Sequence, residues 1–300
     1  MLDFRVETFL AVCRHMNFTK AARELNITQP AVSHHIRYLE QAYGTALFQH
    51  NGKRLQLTEA GEILRRTLLT MKHDEQHLQK RMQQAASGTR DYSFGATLSV
   101  AEFMINEALG RFLQLHPDSH IQMQVADTKV LLSKLDSGEL DFAVVEGDFP
   151  KAEYDFFVFG TEEYVAAGDP EKAARYRGRR LTDLLVEPLL LREEGSGTRV
   201  ILEYYLKEHG LTAADFARTV EIGNIGAIKT LLKSGYGVSF LYRAAIRPEE
   251  AAGTLGVIEL SDFRLRHDIM FLFPKNSNFR ADYTAIFREL RACAEETGSA

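Results

Sequence analysis

Two stretches of this chain carry side chains whose types and spacing suit chemistry, and in both it is hydrogen bonding, not bond making. In the first, Pro30, Ser33, His34 and Arg37 recur on one helix face with Gln29 at its leading end, while Val32, Ile36 and Leu39 recur at i, i+4 and i+7 on the other. A hydroxyl, an imidazole and a guanidinium on a helix about as wide as a DNA major groove suit the reading of base edges. In the second, Gly195-Ser196-Gly197-Thr198-Arg199, every group donates. Glycine exposes backbone N–H groups, Ser196 and Thr198 bring hydroxyls, and Arg199 brings positive charge at the start of a helix. Such a cluster fits a small anion: carboxylate, sulfate, sulfite or phosphate. The alternative is a turn capped by its own serines.

Catalytic spacings are missing: the sequence has no GxSxG, GxxxxGK[ST], HExxH or CxxC. Gly235-Tyr236-Gly237 begins like a dinucleotide fingerprint but lacks the third glycine and precedes a strand. No catalytic residue, cofactor or metal is therefore expected. His73 and His77 lie at i, i+4 with no third ligand in sequence reach, which predicts solvated side chains. Cys13 and Cys293, the only cysteines, show no resolving partner, so a disulfide is not expected.

The elements that must position these residues follow from local signals. Thr19 reads as the cap of a short helix closed by Leu25, Asn26-Ile27 as a turn, and Thr28 as the cap of a second helix with Pro30 in its first turn. That is a helix-turn-helix, although a hairpin of helices used only for packing has the same pattern. A helix over Phe4–Met16 supplies a third wall through Val6, Phe9, Leu10 and Cys13, with Phe18 plugging its end. Residues 47–57 read as a β-hairpin around Asn51-Gly52, which places Lys53 and Arg54 where they reach phosphates or a minor-groove edge. Thr58 then caps a helix running to about Ala86. Its seam of Leu64, Leu68, Met71, Glu75, Leu78, Met82 and Ala85 predicts pairing with a second copy. The alternative partner for that seam is the helix's own protomer.

Leu39-Glu40, Gly44, Leu47-Phe48 and Leu57-Thr58-Glu59-Ala60-Gly61 follow the two helices in an order and spacing that resembles the LysR-type transcriptional regulators. The specific likeness runs from Phe4 to about Gly88. His50 and Gln56 stand where that family usually has arginine, which weakens the charge of the wing. The resemblance implies a mixed α+β and α/β architecture: a winged helix-turn-helix over 1–58, a linker helix over 59–88, and a C-terminal two-lobed effector domain like the periplasmic binding proteins. Lobe I would comprise 91–161 with 267–300, and lobe II 162–266. It implies as partners double-stranded DNA at a pseudo-palindromic operator, a small anionic effector and the chain itself as dimer and tetramer, with RNA polymerase as a further candidate. The DNA contacts it implies are Thr28, Gln29, Pro30, Ser33, His34, Arg37, Lys53 and Arg54.

Charge agrees with this division. Residues 1–90 hold 13 Lys and Arg against 8 Asp and Glu, or +5, and the remaining residues hold 23 against 33, or -10, giving the chain's -5. A basic front module suits phosphate binding. No apolar run reaches membrane-spanning length and the N-terminus lacks a signal peptide's apolar core, so a cytoplasmic location without membrane contact is expected.

From Tyr92 onward short apolar strands alternate with amphipathic helices. Strands are expected at 94–96, 121–125, 142–145, 163–167, 189–191, 220–222, 238–241 and 269–273, and helices at 100–115, 128–137, 198–209, 225–234 and 280–296. Ligands of open α/β sheets bind beyond the carboxyl ends of strands. The loops there are Thr97-Leu98-Ser99, Asp127-Thr128, Gly195–Arg199 and Gly223-Asn224, with Glu146 facing the same cleft as an acidic wall. The candidate effector contacts are thus Thr97, Leu98, Ser99, Thr128, Glu146, Ser196, Gly197, Thr198, Arg199 and Asn224. The run Arg192–Arg199 also resembles LysR-type regulators of sulfur assimilation and of carbon fixation. An α/β enzyme with an appended DNA-binding head is the second reading, and a nucleoid-type architectural protein the third.

Overall fold

The computed structural model describes residues 3–52 and 54–297, so Lys53 lies outside the described residues. The chain opens with α1 (Phe4–His15), α2 (Phe18–Glu24) and α3 (Gln29–Tyr43). Each begins on a polar side chain that accepts a backbone N–H: Asp3 from Arg5, Asn17 from Lys20 and Thr28 from Ala31. The second cap corrects the sequence expectation. Asn17, not Thr19, caps α2, because its carboxamide oxygen lies 2.9 Å from the Lys20 nitrogen and leaves Thr19 inside the first turn. Asn26, at φ 53°, makes the left-handed turn between the two helices. Phe9, Leu10, Ala21, Val32, Ile36, Leu39 and Leu47 close the core they share, with Cys13 and Phe18 at its edge. Burial pushes the Cys13 thiol up to about 12, so it stays protonated.

β1 (Phe48–Asn51) and β2 (Arg54–Leu57) form the expected antiparallel hairpin, with Asn51 opposite Arg54. Thr58 caps α4 (Glu59–Ser87) by accepting the Gly61 N–H, and Gly88 ends it at φ 74°. The expected seam divides into a buried part and an exposed part. Leu64 and Leu68 are buried in the core of their own head, whereas Met71, Leu78 and Met82 are 47%, 48% and 67% exposed and free to meet a second copy.

The expectation of two solvated histidines is wrong. His73, Asp74 and His77 share another face of α4, and that face is buried against the C-terminal domain. His73 Nε2 lies 3.0 Å from the Leu140 carbonyl, and His77 sits 3.4 Å from both Asp141 and Asp282. Asp74 accepts from the Ser277 hydroxyl and from the backbone and side-chain nitrogens of Asn278. Polar residue types suggested solvent; pairing with groups 64 to 205 residues away in sequence makes their burial tolerable.

The C-terminal domain continues with β3 (Arg90–Ala96), α5 (Leu98–Phe103), α6 (Asn106–Leu115), β4 (Ser119–Val125), α7 (Thr128–Ser137) and β5 (Phe142–Val145). The expected single helix over 100–115 is therefore broken near Met104. β6 (Tyr154–Gly168) runs far beyond the strand expected at 163–167. After it come α8 (Pro170–Arg175), β7 (Pro188–Leu191), α9 (Gly197–Glu208), β8 (Arg218–Glu221), α10 (Ile225–Lys233), β9 (Val238–Tyr242), α11 (Arg243–Ala251), β10 (Gly256–Ile258), β11 (Leu265–Pro274) and α12 (Arg280–Thr297). Among the described residues the strands follow the order β4-β3-β5-β11-β6-β9-β7-β8, with β10 beside β6. Parallel β3, β4 and β5 build one lobe and parallel β7, β8 and β9 the other. Antiparallel β6 and β11 run through both lobes, with a register shift at Ile269/Met270. Among the described residues no helix is long and apolar enough to cross a membrane.

Candidate functional site

The head presents α3 with its apolar side sealed. Val32, Ile36 and Leu39 are buried; Thr28, Gln29, Pro30, His34 and Arg37 are exposed, and Ser33 is half-buried. Gln29 Nε2 donates to Ser33 Oγ at 2.9 Å and Arg37 Nε to the Ser33 carbonyl at 3.3 Å, so both long side chains lie along the helix instead of being buried. Arg54 is exposed on the wing. This is a polar, donor-rich ridge with no competing ion pair among these residues.

The second site lies where the two lobes meet. Thr97 follows β3 and Glu146 follows β5 in the first lobe, while Ser196 and Gly197 open α9 in the second. The Thr97 hydroxyl donates to Glu146 Oε2. A Cβ built on Gly197 would stand 3.2 Å from the Glu146 side chain, so glycine is what lets α9 approach this carboxylate. Ser196 and Thr198, both buried, share a hydrogen bond of 2.8 Å, and the Tyr164 hydroxyl donates to the Thr198 carbonyl at 2.8 Å. Ser99 Oγ is buried without a partner of good geometry, yet it is near enough to Glu146 to favour its charged form. The larger influence is burial, which raises the Glu146 carboxyl above its ordinary range. Thr128 Oγ1 lies against Gly147, and Asp127 faces Gly195 across the lobes. Leu98 is half-buried beside them.

Two candidates point elsewhere. Arg199 does not enter the cleft. Its guanidinium is held 2.7 Å from Glu203 and 2.7 Å from Glu221 and donates to the Arg192 carbonyl, which keeps its charge on the outer side of α9. Asn224 is exposed, and its side-chain oxygen caps α10 at the Ala227 N–H. The cation near Glu146 is Arg192, 5% exposed and paired through two nitrogens to Glu193 at 2.7 and 2.6 Å. It follows the apolar run of β7, a position that could have marked it as facing inward.

Beside Glu146 opens a cavity of about 590 Å³ with walls from both lobes and β11. Val200, Ile201, Tyr204 and Tyr205 present one face of α9 to it, at i, i+1, i+4 and i+5, opposite Asp148 and His267. That helical periodicity was readable in the sequence; its direction was not. Among the described residues no cluster of three or more His, Cys, Asp or Glu suits a metal ion.

Comparison with known proteins accounts for both ends. Residues 5–62 match the bacterial regulatory helix-turn-helix protein, lysR family, and residues 86–294 match the LysR substrate binding domain. The RuBisCO operon transcriptional regulator of Acidithiobacillus ferrooxidans is 28% identical over 97% of this chain and 94% of its own length. The HTH-type transcriptional regulator CfxR of Cupriavidus necator is 30% identical over 86% of this chain and 80% of its own. Among solved structures, full-length LysG of Corynebacterium glutamicum with bound effector Arg superposes with a TM-score of 0.62 at 18% identity, covering 99% of both chains. The CcmR regulatory domain of Synechocystis in complex with 2-PG gives 0.60 at 20% identity over 68% of this chain and 97% of that one.

Proposed function

The chain belongs to the LysR family of transcriptional regulators, and from that premise we propose how its two sites work together. It is a ligand-responsive regulator and not an enzyme, as its family and relatives are; regulators of this family bind DNA and small-molecule effectors and form oligomers. The working division is residues 1–58 for the head, 59–88 for the linker helix, 91–161 with 267–300 for lobe I, and 162–266 for lobe II. Its effector is a small anion held between the lobes by Thr97, Ser99, Ser196, Thr198 and the Gly197 backbone. One observation carries this reading: the Thr97 hydroxyl of the first lobe and the Gly197 turn that opens α9 in the second meet at a single buried carboxylate, that of Glu146. The structural neighbour solved in complex with 2-PG supports the same chemical class.

Lobe closure on the anion alters how two heads, paired through the Met71, Leu78 and Met82 face of α4, are presented to successive major grooves. Two such dimers join on a pseudo-palindromic operator in the cytoplasm, with RNA polymerase as the downstream partner. Thr97→Val combined with Thr198→Val removes hydroxyls while keeping volume. This pair is expected to abolish the rise in melting temperature produced by sulfate, phosphate or small carboxylates, while operator binding stays within about twofold. An undiminished shift would place the anion elsewhere.

The exposed Arg37 guanidinium gives a second expectation. Arg37→Ala should weaken operator binding by about 1–3 kcal/mol if it contacts a base, with little change on random DNA. Equal losses on both in a salt-controlled gel-shift titration would make it a phosphate contact.

A further inference from the structure

The interlobe site already contains a negative group, and its place restricts what can enter. Glu146 is 3% exposed, receives the Thr97 hydroxyl, lies against the Gly197 backbone and forms one end of the cavity lined by α9. The buried, unpartnered Ser99 hydroxyl stands on the same side. An effector oxygen using these donors would meet the Glu146 carboxylate at contact distance. Two carboxylates this close in a dry site do not both stay ionised; one proton remains between them.

We propose that Glu146 is the specificity-determining gate of the interlobe site: an anionic effector enters only when the Glu146 carboxyl is protonated and donates that proton in a hydrogen bond to the effector. This rests on the anionic-effector reading above and goes beyond it by assigning the condition of entry. The step takes one proton from solvent onto a Glu146 oxygen per anion bound, and it makes and breaks no other covalent bond.

The groups around Glu146 leave it as the centre that titrates with binding. Arg192 is matched by Glu193, which its guanidinium holds below the usual carboxylate range. Tyr164 and Tyr242 are raised by burial and remain neutral. In the adjoining cavity stand Asp148, Glu208, His209 and His267. Burial lowers His267, so it is neutral near physiological pH and does not neutralise an incoming anion. Asp148 and Glu208 bring carboxyl groups to it, and among the described residues no lysine or arginine lines this cavity.

The test uses the full chain and sodium sulfate, whose charge is constant between about pH 6 and pH 9, at ionic strength matched with sodium chloride. Calorimetric titration in two buffers of different ionisation enthalpy reads the protons taken up per sulfate. In the native protein, sulfate affinity is expected to fall about tenfold per pH unit on the alkaline side of the Glu146 pKa, with about one proton taken up per sulfate. Glu146→Gln, isosteric and permanently neutral, should bind sulfate with less than about twofold variation over the range and no proton uptake, and Glu146→Asp should restore the slope.

Sulfate binding that is flat with pH in the native protein, or a slope that survives in Glu146→Gln, overturns the gate and leaves the anionic reading standing. Absence of sulfate binding in the native protein and in Glu146→Gln at every pH overturns both. Binding that tightens as pH rises overturns the gate as well, because a deprotonated Glu146 would then be aiding the ligand.

Discussion

Alanine in place of Gly61 is expected to cost the DNA-binding head about 3 kcal/mol, and operator binding with it. A Cβ on Gly61 would stand 2.1 Å from the carbonyl oxygen of Leu47 and 2.8 Å from Leu57 Cδ2. The obstacle is backbone, and backbone that is tied down: Leu47 O accepts from the Thr58 N–H at 3.0 Å, Ala46 O from the Thr58 hydroxyl at 2.7 Å, and the Leu47 N–H donates to Glu40 at 2.9 Å. Moving it away breaks the junction that sets the wing against α3 and α4. Helix propensity alone predicts the reverse, a gain of about 1 kcal/mol for alanine within α4, so the sign of the result separates the two effects. Gly110→Ala in α6, where a Cβ meets nothing within 4 Å, is the matched control and should be neutral or stabilising. Urea denaturation checks both, and an unchanged midpoint for Gly61→Ala would mean that the wing junction yields freely.

The same junction shows what the sequence made legible. Leu57-Thr58-Glu59-Ala60-Gly61 was readable as a motif, and its reason is steric: Thr58 caps the helix and Gly61 is where the helix crosses the strand start. The helix-turn-helix, wing and linker helix were readable because their signals are local, namely Asn51-Gly52, Thr28 and Pro30, and periodicities of two and 3.6. What could not be read were long-range pairings. His73 and His77 looked solvated because Asp141, Asp282 and Tyr283, their partners, are remote in sequence. Arg199 looked like an anion ligand because Glu221, one of the two carboxylates that claim it, lies on another strand; the other, Glu203, is four residues along the same helix and was readable as a local pair. Glu146 was foreseen as a wall of the cleft, but not as the acceptor of the Thr97 hydroxyl beside the Gly197 turn.

Acidification from pH 6.5 to pH 4 is expected to destabilise the chain through His73, and Asp136 is expected to offset part of that loss. His73 is 1% exposed, and burial lowers its pKa to about 4, against smaller opposing effects of Asp141 and the Leu140 carbonyl. Its folded value lies below its unfolded one, so between these pH values the unfolded chain takes the proton first. Stability that is complete above pH 6.5 is therefore lost as pH falls towards 4, by about 3 kcal/mol at about 1.4 kcal/mol per unit. Asp136 runs the other way. Burial pushes its carboxyl up to about 6 despite a hydrogen bond of 2.7 Å from the Tyr154 hydroxyl, so the folded state takes up the proton first and gains stability as pH falls through 6. Asp136 is only half-buried and borders solvent-open grooves beside α4, which screens it and holds its gain to about 1–2 kcal/mol. The native protein should then lose less over this range than His73 alone dictates. Asp136→Asn should lose more steeply and His73→Gln less steeply than the native chain, in denaturation midpoints measured at half-unit pH steps. Differences between variants cancel the acid sensitivity contributed by the other carboxylates. Parallel pH profiles in all three proteins would show that neither group changes its proton affinity on folding, and that the buried contact between α4 and the first lobe does not govern acid stability.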